Sequence, residues 1–155
     1  MEVVPVAAPT QDVRLLVDEL NDELSGLYTP QPQREKQFVL ETLFQPHIRF
    51  FVARQGGQPA GCGGVALFAD FAEVKRMYVR SHLRGQGIAD ALMARLIAEA
   101  AQGGLKLLRL ETGIYSSAAI AFYRRCGFVG CGAYEPYASM PPHTVATSVF
   151  MERHL

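Results

Sequence analysis

The sequence predicts an α/β (α+β) domain in which helices flank a mixed, twisted central sheet. Three observations carry this prediction. Apolar runs of strand character alternate with segments of 3.6-residue apolar period. The predicted order is β-α-α-β-β-β-α-β-α-β-β, and no repeat, low-complexity tract or linker interrupts it. Residues 1–155 are therefore read as one domain, and with 49% hydrophobic content the chain can bury a full core.

The elements follow in order. "VVPVAAPT" (3–10) is a first strand, and Thr10 is placed to cap a helix with Val13, Leu16, Val17, Leu20 and Leu24 on one face. The opposite face carries Asp12, Asp18, Glu19, Asp22 and Glu23 and reads as a solvated surface. The turn-rich "SGLYTPQP" (25–32) separates it from a short helix with Phe38, Val39, Leu43 and Phe44 that runs to about Gln45. Residues 48–79 form a three-strand meander with a "QGGQ" hairpin turn, its third strand running from Ala72 to Val79. From Gly87 the pattern turns helical through Ile88, Ala89, Leu92, Met93, Leu96, Ile97 and Ala100, ending at Gly103 and Gly104. "LKLLRLET" (105–112) is a buried strand. "SSAAIAFYRRCGF" (116–128) is a helix capped by Ser116 or Ser117 and stopped at Gly127, and "TVATSVFMER" (144–153) is the closing strand.

Composition excludes several functions. Zero formal net charge and a pI near 6.9 leave no basic surplus for a nucleic-acid backbone. Glu2, Pro5 and Pro9 occupy the place where a signal peptide needs a basic and then an apolar region, and no apolar run approaches the roughly 20 residues that span a bilayer. A soluble cytoplasmic protein without a membrane partner is expected. Cys62, Cys126 and Cys131 lack CxxC spacing and His47, His82, His143 and His154 are scattered, so no metal site is expected. GxSxG and HExxH are both absent.

One stretch does suggest chemistry. In "VRSHLRGQGIADALM" (79–93), Arg84, Gly85, Gln86, Gly87, Ile88 and Ala89 supply consecutive main-chain N–H groups where a helix begins. Donors there lack intrahelical partners, and the helix dipole adds about half a positive charge at the same end. A phosphate or pyrophosphate is the ligand such a turn holds best. The sequence lacks the GK[ST] of a P-loop and the GxGxxG of a Rossmann turn.

Taken together, "FAEVKRMYVRSHLRGQGIADALM", "LKLLRLET" and "AIAFYRRCGF" resemble the GNAT superfamily of acetyl-CoA-dependent N-acetyltransferases, strongly over residues 48–130. Arg84-x-x-Gly87-x-Ala89 matches the superfamily's [QR]xxGx[GA] motif, whose amides bind the coenzyme A pyrophosphate. The resemblance implies a GNAT-type sheet with splayed fourth and fifth strands. It also implies a bulge before the loop, with Met77, Tyr78 and Val79 offering backbone to the pantetheine arm. Tyr123 matches the tyrosine that bonds the thiol sulfur and often acts as general acid; Phe122 beside it packs at the edge of the cofactor site. Ser116 stands where many relatives have asparagine, and its hydroxyl is the candidate replacement for that residue's contact to the cofactor.

An alkylammonium of pKa about 10.4 is less than about one part in a thousand free amine at pH 7, a preparation cost above about 4 kcal/mol. A general base offsets that cost, and Glu73 in "FAEV" is similar to the base glutamate of the superfamily's histone acetyltransferases. An ion pair with Lys75 or Arg76 is its alternative role. Lys75 and Arg76 are candidate contacts for an acceptor carboxylate. Tyr28, Tyr134 and Tyr137 lie in the two loops that in this superfamily border the acceptor pocket. The expected activity is acetyl transfer to the primary amine of a small molecule or peptide in a ternary complex, from a monomer or homodimer. The alternative is a non-catalytic acyl-CoA-binding regulatory module, for which the amide cradle alone would suffice.

Overall fold

The computed structural model describes residues 1–27 and 39–155. Strand β1 (Glu2–Val6) precedes helix α1 (Gln11–Leu27), and a 3-10 turn (Leu40–Phe44) precedes the meander β2 (Ile48–Gln55), β3 (Gln58–Leu67) and β4 (Ala72–Val79). Helix α2 (Ile88–Gln102), β5 (Leu107–Gly113), α3 (Ser117–Arg125), β6 (Val129–Cys131), α4 (Pro142–Ala146) and β7 (Ser148–His154) complete the chain. The seven strands form one sheet in the order β1-β2-β3-β4-β5-β7-β6.

Burial on both faces explains the unbroken apolar run of β2. Phe50 and Val52 pack against Val13, Leu16, Val17 and Leu20 of α1, while Phe51 and Ala53 alternate to the other face against Leu92, Met93 and Leu96 of α2. The sheet is thus sandwiched between helices and its registers are held by two cores. Thr10 caps α1, its Oγ1 accepting from the Val13 amide at 3.3 Å.

All strand pairs are antiparallel except β4–β5, which pair in parallel only at Ala72↔Leu108 and Glu73↔Arg109. Beyond these residues the two strands part. On its other edge β4 stays on β3 but bulges: Cys62 pairs with Tyr78 and Gly64 with Lys75, so Arg76 and Met77 together face Gly63. Arg76 takes φ 50° at that bulge.

Two expectations change. The closing strand starts only at Ser148, because Pro141 and Pro142 initiate the short helix α4, where a missing N–H costs nothing at the first turn. The acidic face of α1 is also more than a solvated surface. Glu19 accepts from Arg80 Nε and Nη2 at 3.1 and 3.0 Å, Glu23 accepts from Arg84 at 2.7 Å, and Asp12 pairs with Arg54. These partners lie far away in sequence, so helical periodicity carries no trace of them.

A Cβ at Gly61 on β3 would come within 2.6 Å of the Tyr78 carbonyl oxygen, a backbone atom that cannot swing away. Gly61→Ala is expected to destabilise the fold by about 1–3 kcal/mol in denaturant unfolding. Gly130→Ala on β6, where the space is open, is expected to change it by less than about 0.5 kcal/mol.

Candidate active site

Where β4 leaves β5 a cleft of about 1710 Å³ opens, walled by β4, β5, α3, the C-terminal half of α1 and the loop before α2. One end is main chain. The Arg84 amide closes a turn onto the Ser81 carbonyl (3.4 Å) and the Ala91 amide begins the α2 ladder on Gly87 O (3.1 Å). Between them, the amides of Gly85, Gln86, Gly87, Ile88, Ala89 and Asp90 donate to no group among the described residues. The row of unbonded amides therefore starts one residue later than the candidate cradle read from the sequence and extends to Asp90. Gly85 and Gly87 have φ of 80° and 84°, a region open to glycine, and their missing Cβ atoms leave free space beside the cleft.

Arg84 is engaged elsewhere than in the cradle. Its Nε donates to Val79 O at 2.9 Å, its Nη2 donates to Glu23, and the guanidinium lies 5.7 Å from the Tyr78 ring centre. It splints the loop to β4 and α1. Met77, Tyr78 and Val79 all line the cleft, although the bulge sits one residue earlier than expected, at Arg76–Met77. Tyr78 donates to Glu19 at 3.2 Å; burial, then the Glu19 charge and hydrogen bond, pushes its pKa up to about 12.

On the opposite wall, Tyr123 faces the cleft from α3 with its ring against Phe122 (5.5 Å) and Phe128 (5.9 Å). Its hydroxyl bonds no protein group among the described residues. Burial raises its pKa first, and Cys126 and the Glu111 carboxylate add to the rise, so the phenol stays protonated throughout the physiological range. Ser116 is buried and lines the same wall with Phe122; it holds the N-cap position of α3 without a side-chain capping bond.

The structure moves Glu73 away from the role expected of it. Glu73 is 2% exposed and does not line the cleft; its carboxylate pairs with Lys75 Nζ and accepts from Tyr134 Oη at 2.6 Å. As a member of the last β4–β5 pair it sits at the fork of the strands, where a buried carboxylate needs such partners. Tyr134 is likewise withdrawn from the cleft, packed edge-on against Phe71, Tyr137 and Phe150, and its pKa is raised by burial and by Glu73. Lys75, Arg76 and Tyr137 do line the cleft, Lys75 Nζ donating to Tyr137 Oη at 3.4 Å and Arg76 Nη1 to Asn21 Oδ1 at 3.0 Å. Tyr28 lies outside the described residues.

Sequence reasoning missed Glu111. It stands on the β5 wall of the cleft, and its Oε2 accepts from Ser148 Oγ at 2.6 Å. A signal existed: in "LLRLETG" Leu108 and Leu110 point into the core, so alternation sends Arg109 and Glu111 to the other face. Among the described residues no group of His, Cys, Asp and Glu is arranged for a metal, and no helix is long and apolar enough to cross a membrane.

The profile of the Acetyltransferase (GNAT) family matches residues 13–128. A protein of Azospirillum brasilense named IAA acetyltransferase is 41% identical over 152 residues, covering 96% of this chain and 94% of its own. A solved structure from Klebsiella pneumoniae, described as an acyl-CoA N-acyltransferase, superposes with a TM-score of 0.78 at 33% identity over 99% and 97% of the two chains. A Bacillus anthracis structure described as a streptothricin acetyltransferase, in complex with acetyl coenzyme A, shares the fold at 22% identity and a TM-score of 0.63 over 77% and 69% of the chains.

Two measurements probe the geometry. Gly87→Ala places a Cβ at the cradle in a backbone region that disfavours it by about 1–2 kcal/mol, and is expected to weaken coenzyme A binding by at least about tenfold in calorimetry. Tyr78 has a folded pKa near 12 against about 10 when unfolded, so above pH 10 the unfolded chain binds fewer protons. Its contribution to stability is whole below pH 10 and lost as pH rises toward 12; unfolding midpoints should fall over that window, and less steeply in Tyr78→Phe.

Proposed function

The chain belongs to the Acetyltransferase (GNAT) family and is an acetyl-CoA-dependent acetyltransferase, a premise from which we propose that its acceptor is the primary amine of a small molecule or peptide, attacked directly in a ternary complex. The observation that carries this reading is the pairing, in one cleft, of six uncommitted amides at its end with Tyr123 and Glu111 on its wall. The amides of Gly85–Asp90 suit the pyrophosphate of the cosubstrate, and the open backbone of β4 from Met77 to Val79 suits its amide-bearing arm. Acetyl-CoA supplies an acetyl group activated as a thioester.

The chain's own side chains divide the proton work. Glu111 is accessible from the cleft and fixed by Ser148, so it is the carboxylate placed to receive the ammonium proton, directly or through a water. Glu73, paired with Lys75 and Tyr134 beneath the fork, instead fixes Lys75 and Tyr134 in place. Tyr123 presents a hydroxyl to the departing sulfur. Because its pKa lies above that of a thiol, about 8.5, full transfer of its proton to sulfur is uphill. Its favourable role is a hydrogen bond to the developing thiolate, while the proton that ends on sulfur balances the one released by the amine. No cysteine lines the cleft among the described residues, which favours direct attack over relay through a thiol.

Thiol release from acetyl-CoA with an amine panel tests the proposal. Tyr123→Phe and Glu111→Gln are each expected to lower kcat by about 10²-fold with coenzyme A affinity retained, whereas Glu73→Gln should act mainly on the unfolding midpoint. Unchanged turnover in both of the first two variants would overturn these roles.

A further inference from the structure

Ser148 opens β7 where the chain leaves α4, and strand register brings it to Glu111. Glu111 on β5 pairs with Phe150, so Ser148, two residues earlier on β7, is its diagonal neighbour on the same face of the sheet. A serine hydroxyl has one hydrogen to donate. Two acceptors stand within its reach, Glu111 Oε2 at 2.6 Å and the Thr144 carbonyl of α4 at 3.1 Å. All three residues line the cleft.

The charge on Glu111 decides between the two acceptors. A carboxylate is a charge-assisted acceptor, about twice as strong as a neutral one, and the shorter contact shows where the hydrogen goes while Glu111 is ionised. A proton on either carboxyl oxygen removes that advantage, and a proton on Oε2 points back at Ser148 Oγ, which has lone pairs to accept it. The Thr144 carbonyl then takes the serine's hydrogen. Before that it has a donor in Thr147 Oγ1 at 3.1 Å, so neither position of the Ser148 hydroxyl leaves it bare.

The other charged and titratable groups around Glu111 come from several elements. Arg76 faces it from β4, where burial lowers the arginine's pKa and the Glu111 charge opposes the change. Tyr123 faces it from α3, and Tyr134 and Tyr137 from the segment before α4; burial first, with Glu111 among the further causes, holds all three phenols protonated. Arg109, two residues before it on β5, pairs with Glu152 of β7 at 3.6 Å. Ser148 bonds Glu111 and Thr144 and none of these groups, so removing its hydroxyl leaves them in place.

Resting on the acetyl-transfer reading above, we infer that Ser148 is a positioning residue for the base: its hydroxyl follows the proton on Glu111, donating to the carboxylate and turning to Thr144 once Glu111 has taken a proton from the amine. That proton moves from nitrogen to a Glu111 oxygen, and nitrogen keeps the electron pair that attacks the acetyl carbon. Ser148 retains its own hydrogen throughout and turns back when Glu111 releases the proton.

Two readings test the inference. In protein with 13C-labelled glutamate carboxyls and coenzyme A bound, the Glu111 signal, assigned by its loss in Glu111→Gln, is titrated in the wild type, Ser148→Ala and Ser148→Thr. Loss of a donor to the charged form favours the neutral acid, so the midpoint is expected to rise by about 0.5–1 pH unit in Ser148→Ala and to return most of the way in Ser148→Thr. The acid limb of kcat for thiol release should move to higher pH by the same amount, while kcat above the limb falls less than about tenfold. An unmoved carboxyl midpoint in Ser148→Ala, or a shift that Ser148→Thr leaves unreversed, overturns the inference, even where the unfolding midpoint drops as for a merely structural contact. A carboxyl midpoint that moves without the acid limb supports the coupling of the hydroxyl to Glu111 and overturns the part given to Glu111 as base. If no amine releases thiol, the acetyl-transfer reading fails, and the carboxyl titration still decides whether Ser148 follows the charge on Glu111.

Discussion

The site depends on the parting of β4 from β5. A strand in the middle of a sheet has its N–H and C=O groups satisfied on both edges, and a buried backbone group without a partner costs about as much as a lost hydrogen bond. β4 meets that requirement toward β5 only at Ala72 and Glu73. Past that point its β3 edge stays paired through a bulge, while its other edge faces the cleft. Two local devices hold the fork open. The bulge tilts Arg76 and Met77 away from the regular ladder, and the Glu73–Lys75–Tyr134 group fills the crotch with a neutralised polar cluster. What results is an extended backbone edge at the rim of a cavity.

The loop that follows β4 has to be presented to that cleft without being covered by it. Its position is set mostly by burial: Ile88, Leu92, Met93 and Leu96 sink the first turns of α2 into the core, fixing where the helix starts. The ion pairs from α1 then choose the orientation. Arg80–Glu19 and Arg84–Glu23 are part-exposed, and pairs of that kind are worth only about 0–1 kcal/mol each. Their consequence is geometric. They draw the arginines sideways onto α1, so that the glycine amides, rather than long cationic side chains, occupy the cleft end. That end of the cleft is therefore built of fixed main-chain dipoles, which need no reorganisation to meet a charge.

This division explains what could be read from the sequence. The glycine turn, the limits of β4 and the Thr10 cap are local, each following from a few adjacent residues, and each stands where the sequence places it. The cradle itself shifted by one residue because the Arg84 amide is spent on a 3-10 turn, a detail of hydrogen bonding that composition does not encode. The carboxylates were harder. Glu73 and Glu111 both sit on strands beside apolar residues, and which of them meets the cleft depends on where the two strands separate, a tertiary fact. Glu73 lies at the last paired position, opposite Arg109, and is sealed; Glu111, two residues past Arg109, is beyond the fork and open. The acidic residues of α1 were misread for the same reason, their arginine partners being 61 positions away in sequence for both Glu19 and Glu23.

The two ends of the cleft also differ in how they tolerate sequence change. At the cradle, the groups presented are main-chain N–H groups, which any residue compatible with the turn supplies, so the constraint falls on Gly85 and Gly87, with φ of 80° and 84°, and leaves the flanking side chains free. At the far end, the cleft is lined by side chains delivered by separate elements: Asn21 from α1, Lys75 and Arg76 from β4, Glu111 from β5, Tyr137 and Met140 from the segment before α4. One substitution there alters the chemistry of that end of the cleft and leaves the main-chain amides at the other end in place. A scaffold made this way keeps its acyl donor while its acceptor drifts, which is the sense in which this fold sets the reaction and the individual side chains set its object.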